Sequence, residues 1–129
     1  MSKLSVITIN FNNAAGLEKT VRSVVGQNFK DFEYIIIDGG SSDGSVDVIQ
    51  KYSDKISFWV SEKDSGIFHA QNKGIVKANG EYCLFLNSGD YLVDEHVFQN
   101  VFSEKLNQDI IYGDMIIMDD SSEKKRFNM

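Results

Sequence analysis

The chain has 129 residues, enough for one domain with its own hydrophobic core and no need of disulfide or metal staples. Its 42% apolar and 25% charged residues exclude a disordered segment or a collagen-like repeat, and a formal charge of −6 argues against a nucleic-acid binder, whose phosphate contacts need clustered Lys and Arg. The lone cysteine, Cys83, sits in an apolar run and reads as core, and no run approaches the ~18–20 apolar residues of a membrane span.

The expected elements alternate along the chain. Residues 4–9, LSVITI, are apolar and β-branched and end at Asn10-Phe11-Asn12-Asn13, which reads as a buried strand entering a loop. A helix follows, with Leu17, Val21, Val24 and Val25 at helical spacing, Asn12 or Asn13 as N-cap and Glu18 in the first turn. The run Tyr34 to Ile37 within FEYIIID is too short for a helix and too apolar for a wet face, so it is an interior strand. GGSSDGS then makes a turn, Val46 and Ile49 mark a short helix, and ISFWV at 56–60 a further strand. Residues 66–79 form a weaker helix interrupted by Gly74, and EYCLFLN at 81–87 another buried strand. A helix with Val97, Phe98, Val101, Phe102 and Leu106 at core spacing precedes DIIYGDMIIM at 109–118, which is one strand or two. The basic cluster Lys124-Lys125-Arg126 reads as a solvated tail.

Strands alternating with helices imply an α/β fold, a mostly parallel sheet with helices on both faces in three αβα layers. Ligands in such sheets bind beyond the carboxyl ends of the strands. Here those ends are polar: Asn10-Phe11-Asn12, Asp38-Gly39-Gly40-Ser41, Glu62-Lys63-Asp64-Ser65-Gly66 and Asn87-Ser88-Gly89-Asp90.

Each of these residues has two readings. Asp38, directly after a buried strand, suits recognition of a base or ribose, or it caps a turn. Phe11 stacks on a planar base, or packs beneath its loop. Asp90, with Asn87 and Ser88 beside it, offers hard oxygens to a Mg²⁺ or Mn²⁺ ion that also takes diphosphate oxygens, or the four residues simply make an Asx turn. Asp64 and Lys63 pair with each other on the surface by default. His69 and His96 fit no zinc spacing and read as structural or surface residues. Neither GxGxxG nor GxxxxGK[ST] occurs, which leaves a metal-bridged nucleotide as the remaining nucleotide reading.

Together, SVITINFN at 5–12, SVVGQNFKDFEYIIIDGGSSDGS at 23–45, EKDSGIFHAQNKGI at 62–75 and GEYCLFLNSGDYL at 80–92 resemble the family 2 glycosyltransferases of the Rossmann-like GT-A fold, over about residues 4–118. The resemblance implies transfer of a sugar from a nucleotide-diphosphate sugar, a UDP-sugar favoured, to a glycan or lipid-linked acceptor of polysaccharide or cell-envelope synthesis. It implies inversion and assistance by Mg²⁺ or Mn²⁺. By position it assigns Ile9, Asn10, Phe11, Asp38, Asp64, Asn72, Asn87 and Ser88 to the nucleotide and Asp90 to the metal. Asn72 matches the family's A-x-N-x-G stretch; Asn87 and Gly89 stand where the metal motif often has Asp, which leaves Asp90 as its principal carboxylate.

Family members are about twice as long and take their general base from the second half. The base is therefore not assigned to the later acids Asp114, Asp119 or Asp120, and residues 1–129 read as one nucleotide-sugar-binding domain, the N-terminal part of a longer catalytic domain. A non-catalytic sugar-nucleotide-binding module is the alternative. A signalling receiver module needs paired acids after the first strand, where this chain has Asn10-Phe11-Asn12-Asn13. The expected location is the cytoplasm, including the inner face of the membrane.

Overall fold

The computed structural model describes residues 3–103, 114–118 and 124–127. In chain order the elements are β1 (Leu4–Asn10), α1 (Ala14–Val25), β2 (Phe32–Asp38), α2 (Ser45–Lys51), β3 (Phe58–Ser61), α3 (Ile67–Lys77), β4 (Tyr82–Phe85), α4 (Val97–Ser103), β5 (Asp114–Met118) and β6 (Lys124–Phe127). They build a six-stranded sheet in the order β3-β2-β1-β4-β5-β6. The first four strands are mutually parallel, whereas β5 runs antiparallel to β4 and β6 antiparallel to β5. The α/β fold with a mostly parallel sheet is thus observed.

The strands alternate two cores. Leu4 and Val6 of β1, with Tyr34 and Ile36 of β2, face Leu17, Val21 and Val24 of α1, Ile49 of α2 and Phe98 of α4. Ile7, Ile35 and Ile37 point the other way, toward Ala70 of α3. Both faces are covered, so the central strands carry near-continuous apolar runs, and each fully buried aliphatic side chain contributes about 1.5–3 kcal/mol. Cys83 is buried in the second core, as its apolar setting predicts.

Several expectations change in detail. The α1 cap is Asn13, whose side-chain oxygen accepts the Gly16 N–H, but the first turn holds no acid. Glu18 lies one turn further on, where it takes the Tyr52 hydroxyl and pairs with Lys51 at 3.2 Å. In α2, Val48 joins Ile49 against the core. Gly74 does not interrupt α3: it is a close-approach site, since a Cβ there would fall 2.5 Å from the Ile7 side chain. Lys124-Lys125-Arg126 lies in β6, which ends the sheet among the described residues, rather than in a tail. Leu106 and residues 109–113, 119 and 120 lie outside the described residues.

Candidate functional site

The parallel register aligns Asn10 with Asp38 and Asp38 with Ser61 at the carboxyl edge of β1, β2 and β3. Side chains at one register on one face meet across parallel strands, and here they are all polar. The fully buried Asp38 carboxylate accepts from Asn10 Nδ2 (2.8 Å), the Ser61 hydroxyl (2.8 Å), the Ser41 hydroxyl (2.7 Å) and the N–H groups of Ser41 (2.8 Å) and Gly40 (3.2 Å). Burial alone raises its pKa, but the Ser41 N–H and hydroxyl, with Asn10 and Ser61, outweigh that and hold it below its usual value of 3.8. Further bonds knit the two loops. The Asn12 N–H donates to the Ser41 hydroxyl and the Ser42 N–H to Asn12 Oδ1, both at 2.8 Å, and Asp43 accepts the Ala14 N–H at 2.9 Å.

Beyond these strand ends opens a cleft of about 630 Å³. Ile9, Asn10 and Phe11 form one wall, Gly39 and Gly40 the floor, and Lys63, Asp64, Gly66, Ile67 and Ala70 the other wall. Gly39 leaves the floor open: a Cβ on it would crowd the cleft, lying 3.2 Å from an Asp64 carboxylate oxygen and 3.3 Å from the Phe11 ring. Gly40 adopts a φ of +84°, open to glycine at little cost. The Phe11 ring is 63% exposed, so it presents a face to the cleft instead of packing under its loop. Asp64 holds its own loop by accepting the Gly66 N–H at 3.1 Å. Asn10 donates its amide to Asp38, which leaves Asn10 Oδ1 buried with no partner.

On the other side of β1 the chain turns at Asn87-Ser88-Gly89-Asp90. The Asp90 N–H donates to the Asn87 carbonyl at 2.9 Å and Gly89 takes φ +100°, a β-turn whose third residue needs positive φ. The Ser88 N–H donates to the Ile9 carbonyl at 3.1 Å, which fastens the turn beside the strand end that borders the cleft. Asp90 is exposed and lines a separate hollow of about 440 Å³ with Phe85, Leu86, Gly89, Tyr91 and Leu92. Asn87 Oδ1 is buried without a partner. Among the described residues no group of three or more His, Cys, Asp or Glu side chains could hold a metal by itself. A carboxylate and an orphaned amide oxygen fit Mg²⁺ or Mn²⁺ only in the manner of ions that complete their shell with substrate phosphates and water.

Of the expected residues, Ile9, Asn10, Phe11 and Asp64 share the cleft, and Ser88 is tied to its edge. Asp38 stands behind the cleft. With side-chain period two, Asp38 points to the α1 and α2 face, and its oxygens are engaged in holding the loops; the cleft meets the Gly39-Gly40 backbone beyond it. Asn72 also falls elsewhere, exposed on α3 beside a hollow with Phe58, Val60 and Lys73, because the helix turns it away from the face that carries Ala70. Lys63 and Asp64 form no ion pair with each other; both line the cleft, and the ion pair found nearby is Lys73 with Glu62 at 3.0 Å. His69 accepts the Ser65 N–H at 2.8 Å and His96 meets Asn28 at 2.8 Å, which are structural roles. Ile67 and Ala70 went unforeseen because they share the periodicity of core residues.

A wound sheet with helices on both faces and a glycine-floored cleft past its parallel strands, walled by an aromatic ring and an acid, is the GT-A architecture. The family model described as Glycosyl transferase family 2 matches residues 5–117, and the chain belongs to that family. It is 35% identical over 119 residues to the cholesterol galactosyltransferase of Borreliella burgdorferi, covering 89% of this chain and 33% of that protein. It is 32% identical over 134 residues to the GalNAc(5)-diNAcBac-PP-undecaprenol beta-1,3-glucosyltransferase of Campylobacter jejuni, covering 99% of this chain and 43% of that one. The crystal structure of Staphylococcus aureus TarS 1–349 in complex with UDP-GlcNAc superposes with a TM-score of 0.71 at 25% identity, covering 80% of this chain and 30% of that one. The chain thus spans between about a third and under half the length of these relatives.

Proposed function

We propose that the protein takes part in glycosyl transfer from a nucleotide-diphosphate sugar, a UDP-sugar by preference, to a glycan or lipid-linked acceptor, with inversion. The observation that carries this reading is the cleft in which the exposed Phe11 ring and the Asp64 carboxylate converge over the Gly39 backbone. Phe11 offers a stacking face to a base, Asn10 forms part of the wall behind it, and Gly39-Gly40 leave room for close approach of the ribose. Asn87 and Asp90 would hold a Mg²⁺ or Mn²⁺ ion together with the diphosphate. Such an ion, when bound, neutralises the charge that builds on the leaving diphosphate.

The chemistry is a single displacement: an acceptor hydroxyl gives its proton to a base and attacks the anomeric carbon as the bond to the diphosphate breaks. UDP is favoured because the TarS relative is a UDP-GlcNAc complex, and a lipid-linked acceptor because the Campylobacter relative is named for one. The chain acts as the nucleotide-sugar-binding part of such an enzyme, in keeping with the share of its relatives that it covers. The reading places this work in the cytoplasm, including the inner face of the membrane; among the described residues no helix is long and apolar enough to cross a membrane.

Thermal shift with UDP-, GDP- and dTDP-sugars, with and without Mn²⁺, tests the reading. A donor at about 100 times its Kd stabilises the native state by about 2.7 kcal/mol, a rise of several degrees in Tm. Phe11→Ala should weaken that donor by about 1–3 kcal/mol, the worth of one aromatic–base stack, while leaving the unliganded Tm nearly unchanged. No shift with any of the three nucleotides overturns the proposal.

A further inference from the structure

One face of α1 carries Asn13, Gly16, Thr20, Ser23 and Gln27 in alternating steps of three and four residues, the spacing of a stripe along a helix. A polar stripe ordinarily faces water. Here Thr20 is fully buried and Gln27 likewise, and the stripe is pressed against the backbone of residues 88–98. Ser23 Oγ accepts the Leu92 N–H at 3.1 Å, while Gln27 donates to the Asp94 carbonyl at 2.6 Å and accepts the Phe98 N–H at 3.1 Å.

Thr20 stands at the centre. Its hydroxyl accepts the Gly89 N–H at 2.9 Å, which is shared with the Gly16 carbonyl at 3.2 Å, and its nearest acceptor is the Asp90 carbonyl at 2.5 Å, ahead of Gly16 O at 3.0 Å and Asn87 O at 3.5 Å. The two bonds grip the chain on either side of the peptide unit that joins Gly89 to Asp90. That unit decides where the Asp90 side chain leaves the backbone, and Gly89, at φ +100°, has no side chain of its own to hold it. Only a hydroxyl can accept and donate at once in so small a space.

We propose that Thr20 is a positioning residue for Asp90: from inside α1 its hydroxyl sets the turn so that the Asp90 carboxylate faces the cation and diphosphate. The inference rests on the reading of Asp90 given under the proposed function. Thr20 touches neither nucleotide nor metal, so its effect should be confined to the metal-dependent part of binding.

The test compares Thr20→Val, which keeps the shape and removes both bonds, with Thr20→Ser, which keeps the hydroxyl. Ser23→Ala removes a neighbouring loop contact and serves as the control for stability alone. UDP affinity without metal is measured by calorimetry, and Mn²⁺ affinity at saturating UDP by the electron paramagnetic resonance of free Mn²⁺. The expected result is a loss of about 10- to 100-fold in Mn²⁺ affinity for Thr20→Val, the range for groups that orient metal ligands, with metal-free UDP affinity unchanged. Thr20→Ser should restore Mn²⁺ affinity, and Ser23→Ala should lower Tm while leaving it intact.

Equal Mn²⁺ affinity in Thr20→Val and wild type overturns the Thr20 assignment and leaves the proposed function standing. A wild type that binds UDP with no help from Mn²⁺ removes both the metal reading and this one. If Thr20→Val does not fold, the Thr20 hydroxyl proton of the wild type decides: a slowly exchanging hydroxyl whose resonance moves with Mn²⁺ and UDP supports the proposal, and one that exchanges as fast as an exposed hydroxyl overturns it.

Discussion

Asp38 shows how a single carboxylate can organise a site without lining it. Five hydrogen bonds converge on it, from Asn10, Gly40, Ser41 twice, and Ser61. Asp38→Asn keeps the shape but turns an N–H₂ toward donors in a buried setting, so it should lower stability by about 2–4 kcal/mol, seen as a lower urea midpoint with an unchanged slope. The pH dependence has a definite sign. The folded pKa lies below the usual 3.8, so the carboxylate's contribution is fully present above that value and is lost as pH falls through the folded one. Wild type and Asp38→Asn should therefore converge in stability as the solution is made more acidic. Sequence position alone marked Asp38 as important, but two of its five donors, Asn10 and Ser61, come from the ends of strands 28 and 23 residues away.

At the scale of elements, α3 reads weakly in sequence because Gly74 interrupts its pattern, yet the helix runs unbroken from Ile67 to Lys77. Helix propensity favours Gly74→Ala by about 1 kcal/mol, whereas the added Cβ would sit 2.5 Å from Ile7 Cγ2 in a fully buried strand. Overpacking costs about 1–3 kcal/mol and the β-branched Ile7 has little freedom to yield, so the net effect should be destabilising. A denaturation midpoint equal to or above wild type would contradict this packing. Most of the elements were legible, with ends displaced by a few residues: β3 is Phe58–Ser61 where 56–60 is expected, and β4 stops at Phe85 although Leu86 and Ser88 continue its bonds to β1. The polar stripe on α1 was written in the sequence at a readable spacing, but a stripe facing a buried loop and one facing water look alike until the loop is in place.

For the whole molecule, the order β3-β2-β1-β4-β5-β6 puts β1 and β2 at the interior, covered on both faces, and leaves β3 bonded on one side only. Amide exchange should be slowest in β1 and β2, which open only on global unfolding, and faster in β3. Equal protection in β2 and β3 would contradict that hierarchy. The same order brings the carboxyl ends of β1, β2 and β3 side by side, so that Phe11, Gly39 and Asp64, more than twenty residues apart in sequence, border one cleft. That convergence is what a wound sheet offers to a ligand.

The sequence by itself determined the alternation of strands and helices, the burial of Cys83 and the family, because hydrophobic period and local motifs are properties of neighbouring residues. Only the tertiary structure decided which of the polar loop residues face the cleft. It turned Asp38 inward and Asn72 away, and set Thr20 beneath the turn of Asp90. The physical reason is that a side chain's direction follows from its place in a pleat or a helix, while its partners come from parts of the chain that only packing brings near.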